Sequence, residues 1–137
     1  MRYCLILFLF LASCQSNTQG TKDPVTGTWV YERIELYSGE PFDLSDSMYN
    51  ALHRQHIGLQ LDFSGGKTFA VVQKRPGKPD ESLGRQDYKM EGDTILRLIN
   101  RGRPDDRFPV VSLSDSLFKL NLFHSDFGYL VFRRKGS

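Results

Sequence analysis

Two histidines of this chain stand at a spacing that suggests metal chemistry. His53 and His56 form an H-x-x-H pair, and residues three apart on a helix share one face. A metal site needs further ligands, yet no carboxylate follows at ligand spacing and His124 lies far along the chain. Histidines near the C-terminus of a helix are favoured by the helix dipole in any case. We therefore expect no metal site.

Other motifs of catalysis and cofactor binding are missing from the sequence. There is no G-x-S-x-G nucleophile elbow, no glycine-rich phosphate loop and no evident pair of carboxylates in a pocket. The pair Gly65-Gly66 is typical of a tight hairpin turn instead. We expect a protein that is not an enzyme and that carries no cofactor.

The N-terminal residues form an export signal that ends in a cysteine. Arg2 precedes an apolar run over 5–12, which is too short for a membrane span of about 20 residues but suits a signal-peptide core. The residues Leu11-Ala12-Ser13-Cys14 resemble the lipobox of bacterial lipoproteins. That resemblance implies removal of residues 1–13 and acylation of Cys14 with palmitate-type chains. The alternative is an ordinary secretory signal with a cysteine present by chance.

An acylated Cys14 would attach the mature chain to a membrane. Each buried CH₂ contributes about 0.8 kcal/mol, so two or three acyl chains hold stably. Cys4 leaves with the signal, and residues 14–24 form a polar, flexible tether before a folded domain over 25–137. Outward-displayed lipoproteins share an acidic run after the cysteine, which residues 15–18 lack. We expect a lipid-anchored protein of the cell envelope, in the outer membrane and facing the periplasm.

Charge and length limit the partners of the mature domain. Of 18 Lys and Arg residues, Arg2 leaves with the signal, so 17 basic residues face 16 acidic ones. This balance gives no basic footprint for nucleic acid. The length suits one domain with an adequate core, and we expect a monomer.

The remaining chain has the pattern of short β-strands separated by turn residues. Residues 57–64 alternate cleanly, with Ile57, Leu59, Leu61 and Phe63 on one face. The predicted strands cover 27–37, 57–64, 67–73, 83–90, 94–100, 107–113, 117–123 and 129–134. An antiparallel meander of eight strands removes its exposed edges by closing. We predict an all-β fold, an eight-stranded up-and-down barrel whose interior holds side chains or one small ligand.

One helix is predicted between the first two strands, over 42–56. Asp43 or Ser45 is suited to cap its start. Its apolar stripe consists of Leu44, Met48, Ala51, Leu52 and Gln55. Such a helix would dock through this stripe across an open end of the barrel, where it would act as a lid.

Gly27-Thr28-Trp29 resembles the G-x-W signature of lipocalins. The layout of residues 25–134 is similar to short lipocalin-like (calycin) lipoproteins of Bacteroidetes-type bacteria. The resemblance implies that Trp29 packs at the closed end against an arginine of the last strand. Arg134 is preferred over Arg133 because it shares a face with Phe132. The chain departs from true lipocalins in its short length and in the absence of a C-terminal helix.

Two functions remain open from the sequence. The first is binding of a small apolar or amphipathic ligand in the barrel mouth. Its candidate residues are Tyr31, Met48, Tyr49, Leu52, Phe63, Phe69 and Tyr88. The second is a plugged barrel that acts through its surface, as an interaction or inhibitor module of the envelope. The volume of the cavity distinguishes the two.

Overall fold

A computed structural model describes residues 23–64, 67–122 and 126–136. One helix and eight strands follow each other along the chain. They are β1 (Gly27–Leu36), α1 (Ser47–His56), β2 (Leu59–Ser64), β3 (Thr68–Gln73), β4 (Glu81–Glu91), β5 (Ile95–Ile99), β6 (Asp106–Leu113), β7 (Leu117–Leu120) and β8 (Gly128–Arg134).

The strands form one closed antiparallel barrel in chain order. Each strand pairs with the next, and β8 returns to β1 with Trp29 opposite Arg134 and Tyr31 opposite Phe132. The predicted up-and-down barrel and the position of its helix are confirmed. Closure leaves the sheet without the two outer strands that an open meander would expose.

Alternation along the strands fills the barrel interior with apolar side chains. In β5, Leu96 and Leu98 are buried between partly exposed neighbours, as the period of two requires. The large side chains that are almost completely buried include Trp29, Leu61, Phe63, Leu96, Phe118, Leu120 and Phe132. The interior is therefore a packed core over much of its length.

Trp29 lies at the centre of the closed end of the barrel. It is fully buried, its indole Nε1 donates to the Val25 carbonyl at 2.8 Å, and its ring centroid lies 5.4 Å from that of Phe118. The guanidinium of Arg134 lies over the indole, 4.2 Å from the ring centroid. A cation over an indole contributes about 0.5–2 kcal/mol.

Arg134 also joins the two ends of the domain by hydrogen bonds to main-chain carbonyls. Its guanidinium donates to Pro24 at 2.7 Å, to Thr26 at 2.6 Å and to Asp115 at 2.6 Å. Gly27 has a φ of +131°, and a Cβ there would lie 2.9 Å from the same guanidinium. The glycine of the G-x-W motif thus leaves space for the arginine that covers the tryptophan.

The helix starts later than predicted and uses a different cap. The predicted span of 42–56 is wrong at its start, because α1 begins at Ser47. Asp46 is the N-cap, and its carboxylate accepts from the backbone N–H groups of Met48 and Tyr49. Asp43 instead accepts from Ser45 and stabilises the turn before the helix.

Several strand ends also differ from the prediction. β2 starts at Leu59 rather than at residue 57, because Gly58 has a φ of +86° and turns the chain out of the helix. A Cβ on Gly58 would lie 1.9 Å from the Lys74 carbonyl oxygen, so only glycine fits this turn. β4 is longer than predicted, and β7 ends at Leu120.

A network of ion pairs lies on the outer wall where β1, β7 and β8 meet. Glu35 is buried and accepts hydrogen bonds from Lys119 and Arg33. Glu32 connects Arg33 with Arg133 in the same way. Burial alone would raise the pKa of the Glu35 carboxyl, but the hydrogen bonds and charges of Lys119 and Arg33 outweigh it and lower that pKa.

This network predicts a loss of stability in acid. A carboxyl whose pKa is lower in the folded protein stabilises the fold above its unfolded pKa, near 4.5 for Glu35, and loses that contribution as the pH falls through the folded value. Lys119→Met should lower the free energy of unfolding by about 1–3 kcal/mol at pH 7, because Glu35 loses a charged partner. The difference in the free energy of unfolding between the variant and the wild type should be smaller at pH 3 than at pH 7. Urea titrations at the two pH values would measure it.

Lys89→Met is the matched control for that measurement. Lys89 is exposed on β4, and within the described ranges it has no ion pair. Removing its charge should leave the pH dependence of stability unchanged. Equal effects of the two lysine substitutions at pH 7 would contradict a specific role of the Glu35–Lys119 pair.

Candidate functional site

An apolar pocket lies among β2, β3, β4 and β5, towards the end of the barrel opposite Trp29. Its volume is about 160 Å³. It is lined by Leu59, Phe69, Val71, Leu83, Gly84, Gln86 and Leu98. We call this cavity the mouth pocket. It is smaller than the 300–1,000 Å³ of a complete small-molecule site, so it has room for only part of a ligand.

The barrel wall is incomplete beside the mouth pocket because neighbouring strands differ in length. β4 pairs with β3 from Glu81 to Asp87, but it pairs with β5 only from Asp87 to Glu91. The segment 81–86 therefore extends beyond the end of β5. Leu83, at an irregularity of the β3–β4 register, lines the pocket and is 53% exposed. The pocket is thus accessible from the side of the barrel.

Gln86 lines this pocket and has an unused hydrogen-bonding group in its side chain. Its side-chain amide nitrogen is buried and has no hydrogen-bond partner in the part of the chain that the structure describes. A buried polar atom without a partner costs about 1–3 kcal/mol. A ligand with an acceptor near Gln86 would remove this cost.

A polar groove adjoins the mouth pocket and shares Gln86 with it. Its volume is about 420 Å³. It is lined by Thr68, Arg85, Gln86, Asp87, Ile99, Asn100 and Arg101. We call it the rim groove. The two cavities together combine an apolar lining with a few polar groups, which is typical of small-molecule sites.

The helix packs on the barrel through a face that includes both histidines. The Tyr31 hydroxyl lies 2.8 Å from Nδ1 of His53, and the ring centroids of both His53 and His56 lie 5.5 Å from that of Tyr31. Nδ1 of His56 donates to the Leu52 carbonyl at 2.7 Å. Burial raises the pKa of the Tyr31 phenol, which therefore keeps its proton near neutral pH. These contacts hold the helix against an interior residue of β1.

The predicted docking stripe of the helix is correct at Leu52 and wrong at Leu44, Met48, Ala51 and Gln55, which are exposed. Leu44 is 45% exposed and Met48 is 50% exposed, whereas Tyr49 and Leu52 pack against the core. Tyr49 stacks on Phe42 with ring centroids 4.3 Å apart. The docking face is Tyr49, Leu52, His53 and His56, at helical spacing i, i+3, i+4 and i+7.

The structure separates the predicted ligand residues into four places. Phe69 lines the mouth pocket. Phe63 and Tyr88 pack edge to face deep in the core, and the Tyr88 hydroxyl donates to Asp23 at 2.8 Å. Tyr31, Tyr49 and Leu52 lie where the helix packs on the barrel, while Met48 lies on the exposed side of the helix. Cys14 lies outside the described residues.

Sequence reasoning missed most of the pocket lining. It did not select Leu59, Val71, Leu83, Gln86 or Leu98 as site residues. Alternation over residues 57–64 placed Leu59 inside the barrel, but nothing in the sequence distinguished residues that fill the core from residues that line a cavity.

Within 23–64, 67–122 and 126–136, no group of three or more His, Cys, Asp or Glu side chains is arranged to hold a metal ion. No helix in these ranges has the length and apolarity needed to cross a membrane.

Solved structures with the same barrel include two proteins from Bacteroides species. A lipocalin-like protein from Bacteroides uniformis ATCC 8492 is 15% identical, with a TM-score of 0.54, over 82% of this chain and 99% of its own. An uncharacterized protein from Bacteroides eggerthii DSM 20697 is 14% identical, with a TM-score of 0.53, over 80% of this chain and 98% of its own. No protein-family model and no curated protein matches the sequence. The lipocalin-like fold that Gly27-Thr28-Trp29 suggested is confirmed.

Proposed function

We propose that this protein is a membrane-anchored lipocalin-like lipoprotein that binds a small apolar or amphipathic ligand at the mouth of its barrel. The observation that carries the proposal is the mouth pocket, an apolar cavity that opens sideways and is lined in part by Gln86, whose side-chain amide nitrogen has no hydrogen-bond partner among the described residues. The lipocalin-like barrel of the protein from Bacteroides uniformis supports a ligand-binding role. We further propose that the protein has no catalytic activity and acts as a monomer.

The ligand would enter the barrel only at its rim. The interior below the mouth pocket is filled by aromatic rings, with Phe63 4.9 Å from Phe69 and 5.9 Å from Phe118 between centroids. One end of the ligand would occupy the mouth pocket, and the remainder would lie in the rim groove. Partial enclosure favours reversible binding and exchange over permanent storage.

The anchor and the mouth would lie at opposite ends of the domain. Asp23, the first described residue, accepts a hydrogen bond from Tyr88 and leads through Val25 to Trp29 at the closed end. The segment from Cys14 to Asp23 spans at most about 30 Å when fully extended. A lipid on Cys14 would therefore hold the closed end nearer the outer membrane, and the mouth would point towards the periplasm.

The filled interior favours a second candidate function. Trp29, Phe118 and Phe132 are completely buried and leave the closed half of the barrel without space for a ligand. Under this alternative the protein is an envelope interaction or inhibitor module that acts through its outer surface. Binding of an apolar probe by the wild-type protein distinguishes the two functions.

Filling the mouth pocket should abolish ligand binding. Val71 lines the pocket and is 8% exposed, so Val71→Phe would place a ring in a cavity of about 160 Å³. We expect at least about tenfold weaker binding of N-phenyl-1-naphthylamine, a neutral apolar fluorophore, at a stability cost of about 1–3 kcal/mol. Fluorescence titration measures the binding, and circular dichroism checks that the barrel is folded.

Val111→Phe is the matched control. Val111 lies on β6, lines neither cavity and is 47% exposed, so the same enlargement there should leave probe binding unchanged. If wild-type protein does not bind the fluorophore, or if the Val71 variant binds it as tightly, the mouth pocket is not a ligand site. The surface-acting function would then be preferred.

A further inference from the structure

Two arginines of the rim groove differ from their neighbours in having no acidic partner. Arg97, Arg103 and Arg107, on the same β5–β6 hairpin, each form a salt bridge with an aspartate or glutamate. Within the described ranges, the side chains of Arg85 and Arg101 form no salt bridge and no hydrogen bond. Two guanidinium groups thus line one groove with their donors unused.

Both arginines line the groove just beyond the point where the pairing of β4 with β5 ends. Asp87 and Ile99 form the last residue pair between β4 and β5. Arg85 and Arg101 each lie two residues beyond this pair. Arg85 is on the same strand face as Asp87, because side chains alternate along a strand. Both arginines line the rim groove. Gln86 is on the strand face opposite to that of Arg85 and Asp87. It lines both the groove and the mouth pocket.

The charge balance of the groove favours an anion. Arg85 and Arg101 contribute two positive charges, and Asp87 contributes the single negative charge of the lining. Thr68, Gln86 and Asn100 add hydrogen-bonding side chains. Guanidinium groups bind carboxylate, sulfate and phosphate oxygens with paired, charge-assisted hydrogen bonds.

We infer that the rim groove is an anion subsite, and that the ligand is an amphipathic anion with an apolar chain in the mouth pocket and its charged group between Arg85 and Arg101. This inference rests on the proposed function, because the groove would hold the charged end of a ligand whose apolar end lies in the mouth pocket. Gln86 would donate to the ligand where the apolar chain meets the charged group. The anionic group is a carboxylate, a sulfate or a phosphate.

Three probes with the same ten-carbon chain test the subsite: decanoate, decyl sulfate and decanol. Isothermal titration calorimetry at pH 7.5 would compare wild type with the double variant Arg85→Gln, Arg101→Gln. We expect both anions to bind wild type more tightly than decanol, and the double variant to bind them at least about tenfold more weakly. Binding of decanol should change by less than about twofold, and raised salt should weaken binding of the anions only.

The control double variant is Arg75→Gln, Lys78→Gln. Both residues are exposed in the β3–β4 loop and line neither cavity, so this variant loses the same charge without changing the groove. It should bind all three probes as wild type does. A preference between decanoate and decyl sulfate would identify the geometry of the anionic group.

The outcomes separate this inference from the proposed function. If decanol binds wild type as tightly as the anions do, or if the two double variants weaken anion binding equally, the anion subsite is overturned while the mouth pocket stands. If none of the three probes binds wild type, both the subsite and the ligand-binding function are overturned. Anion binding that is lost only with Arg85 and Arg101 supports both.

Discussion

Replacing Trp29 with alanine should lower the free energy of unfolding by about 3–5 kcal/mol. The indole is completely buried, contacts the Phe118 ring, and donates to the Val25 carbonyl. Its removal would leave a cavity at the closed end and take away the surface on which Arg134 lies. The loss is large because three kinds of interaction end together: apolar burial, a hydrogen bond and a cation–π contact. Urea unfolding monitored by circular dichroism measures it.

Two further variants test whether the loss of stability in Trp29→Ala is specific to this buried indole. Trp29→Phe keeps an aromatic ring but lacks the Nε1 donor. It should therefore lower the free energy of unfolding by less than the alanine substitution does. Phe127→Ala removes an aromatic ring that is 42% exposed, and it should cost no more than about 1 kcal/mol. A melting temperature of Trp29→Ala equal to that of wild type would show that the closed end does not depend on this residue.

The fold was predictable because it depends on short-range patterns. In β2, Leu59, Leu61 and Phe63 recur with a period of two and are all buried. Eight short strands joined by short turns are expected to form an antiparallel sheet that closes into a barrel. The exact start of the helix was less predictable, since Asp43, Ser45 and Asp46 are all good caps. The choice among them depends on where the preceding segment docks on β1, through Phe42.

The docking face of the helix was mispredicted because it was chosen from the spacing of the stripe Leu44, Met48, Ala51, Leu52 and Gln55. Leu44 and Met48 are large apolar residues of the predicted segment, yet they are largely exposed to solvent. His53 and His56 pack on Tyr31 instead, where an imidazole ring provides both flat contact area and a hydrogen bond to the phenol. The H-x-x-H pair was therefore a packing signal. Hydrophobicity alone does not identify such a face.

The candidate site was less predictable than the fold, because it arises from differences between strand lengths. The opening beside Gln86 exists because β5 ends at Ile99 while β4 continues to Glu81. The sequence predicted both strands but placed the start of β4 at residue 83. The sequence of one strand does not show how many of its residues pair with each neighbouring strand. An unused arginine is equally hidden, since Arg85 and Arg97 look alike until their partners are known.

Replacing Cys14 with alanine should move the protein completely from the membrane fraction to the soluble fraction. We propose the lipid on Cys14 as the attachment of the domain, and each buried CH₂ contributes about 0.8 kcal/mol, so two or three acyl chains account for the binding. Sedimentation after a high-salt wash would measure the distribution, and metabolic labelling with palmitate would measure acylation. The wild type should be labelled and sediment, and the variant should do neither.

Cys4→Ala is the matched control for the anchor. Cys4 precedes the proposed cleavage site, so the mature protein would be identical to wild type and should sediment and label normally. If Cys14→Ala still sediments after the salt wash, the domain has another attachment and Cys14 is not the anchor. If wild type is itself soluble and unlabelled, residues 1–13 act as an ordinary secretory signal. The mouth pocket and the rim groove would then belong to a freely diffusing binding protein, because neither cavity depends on the anchor.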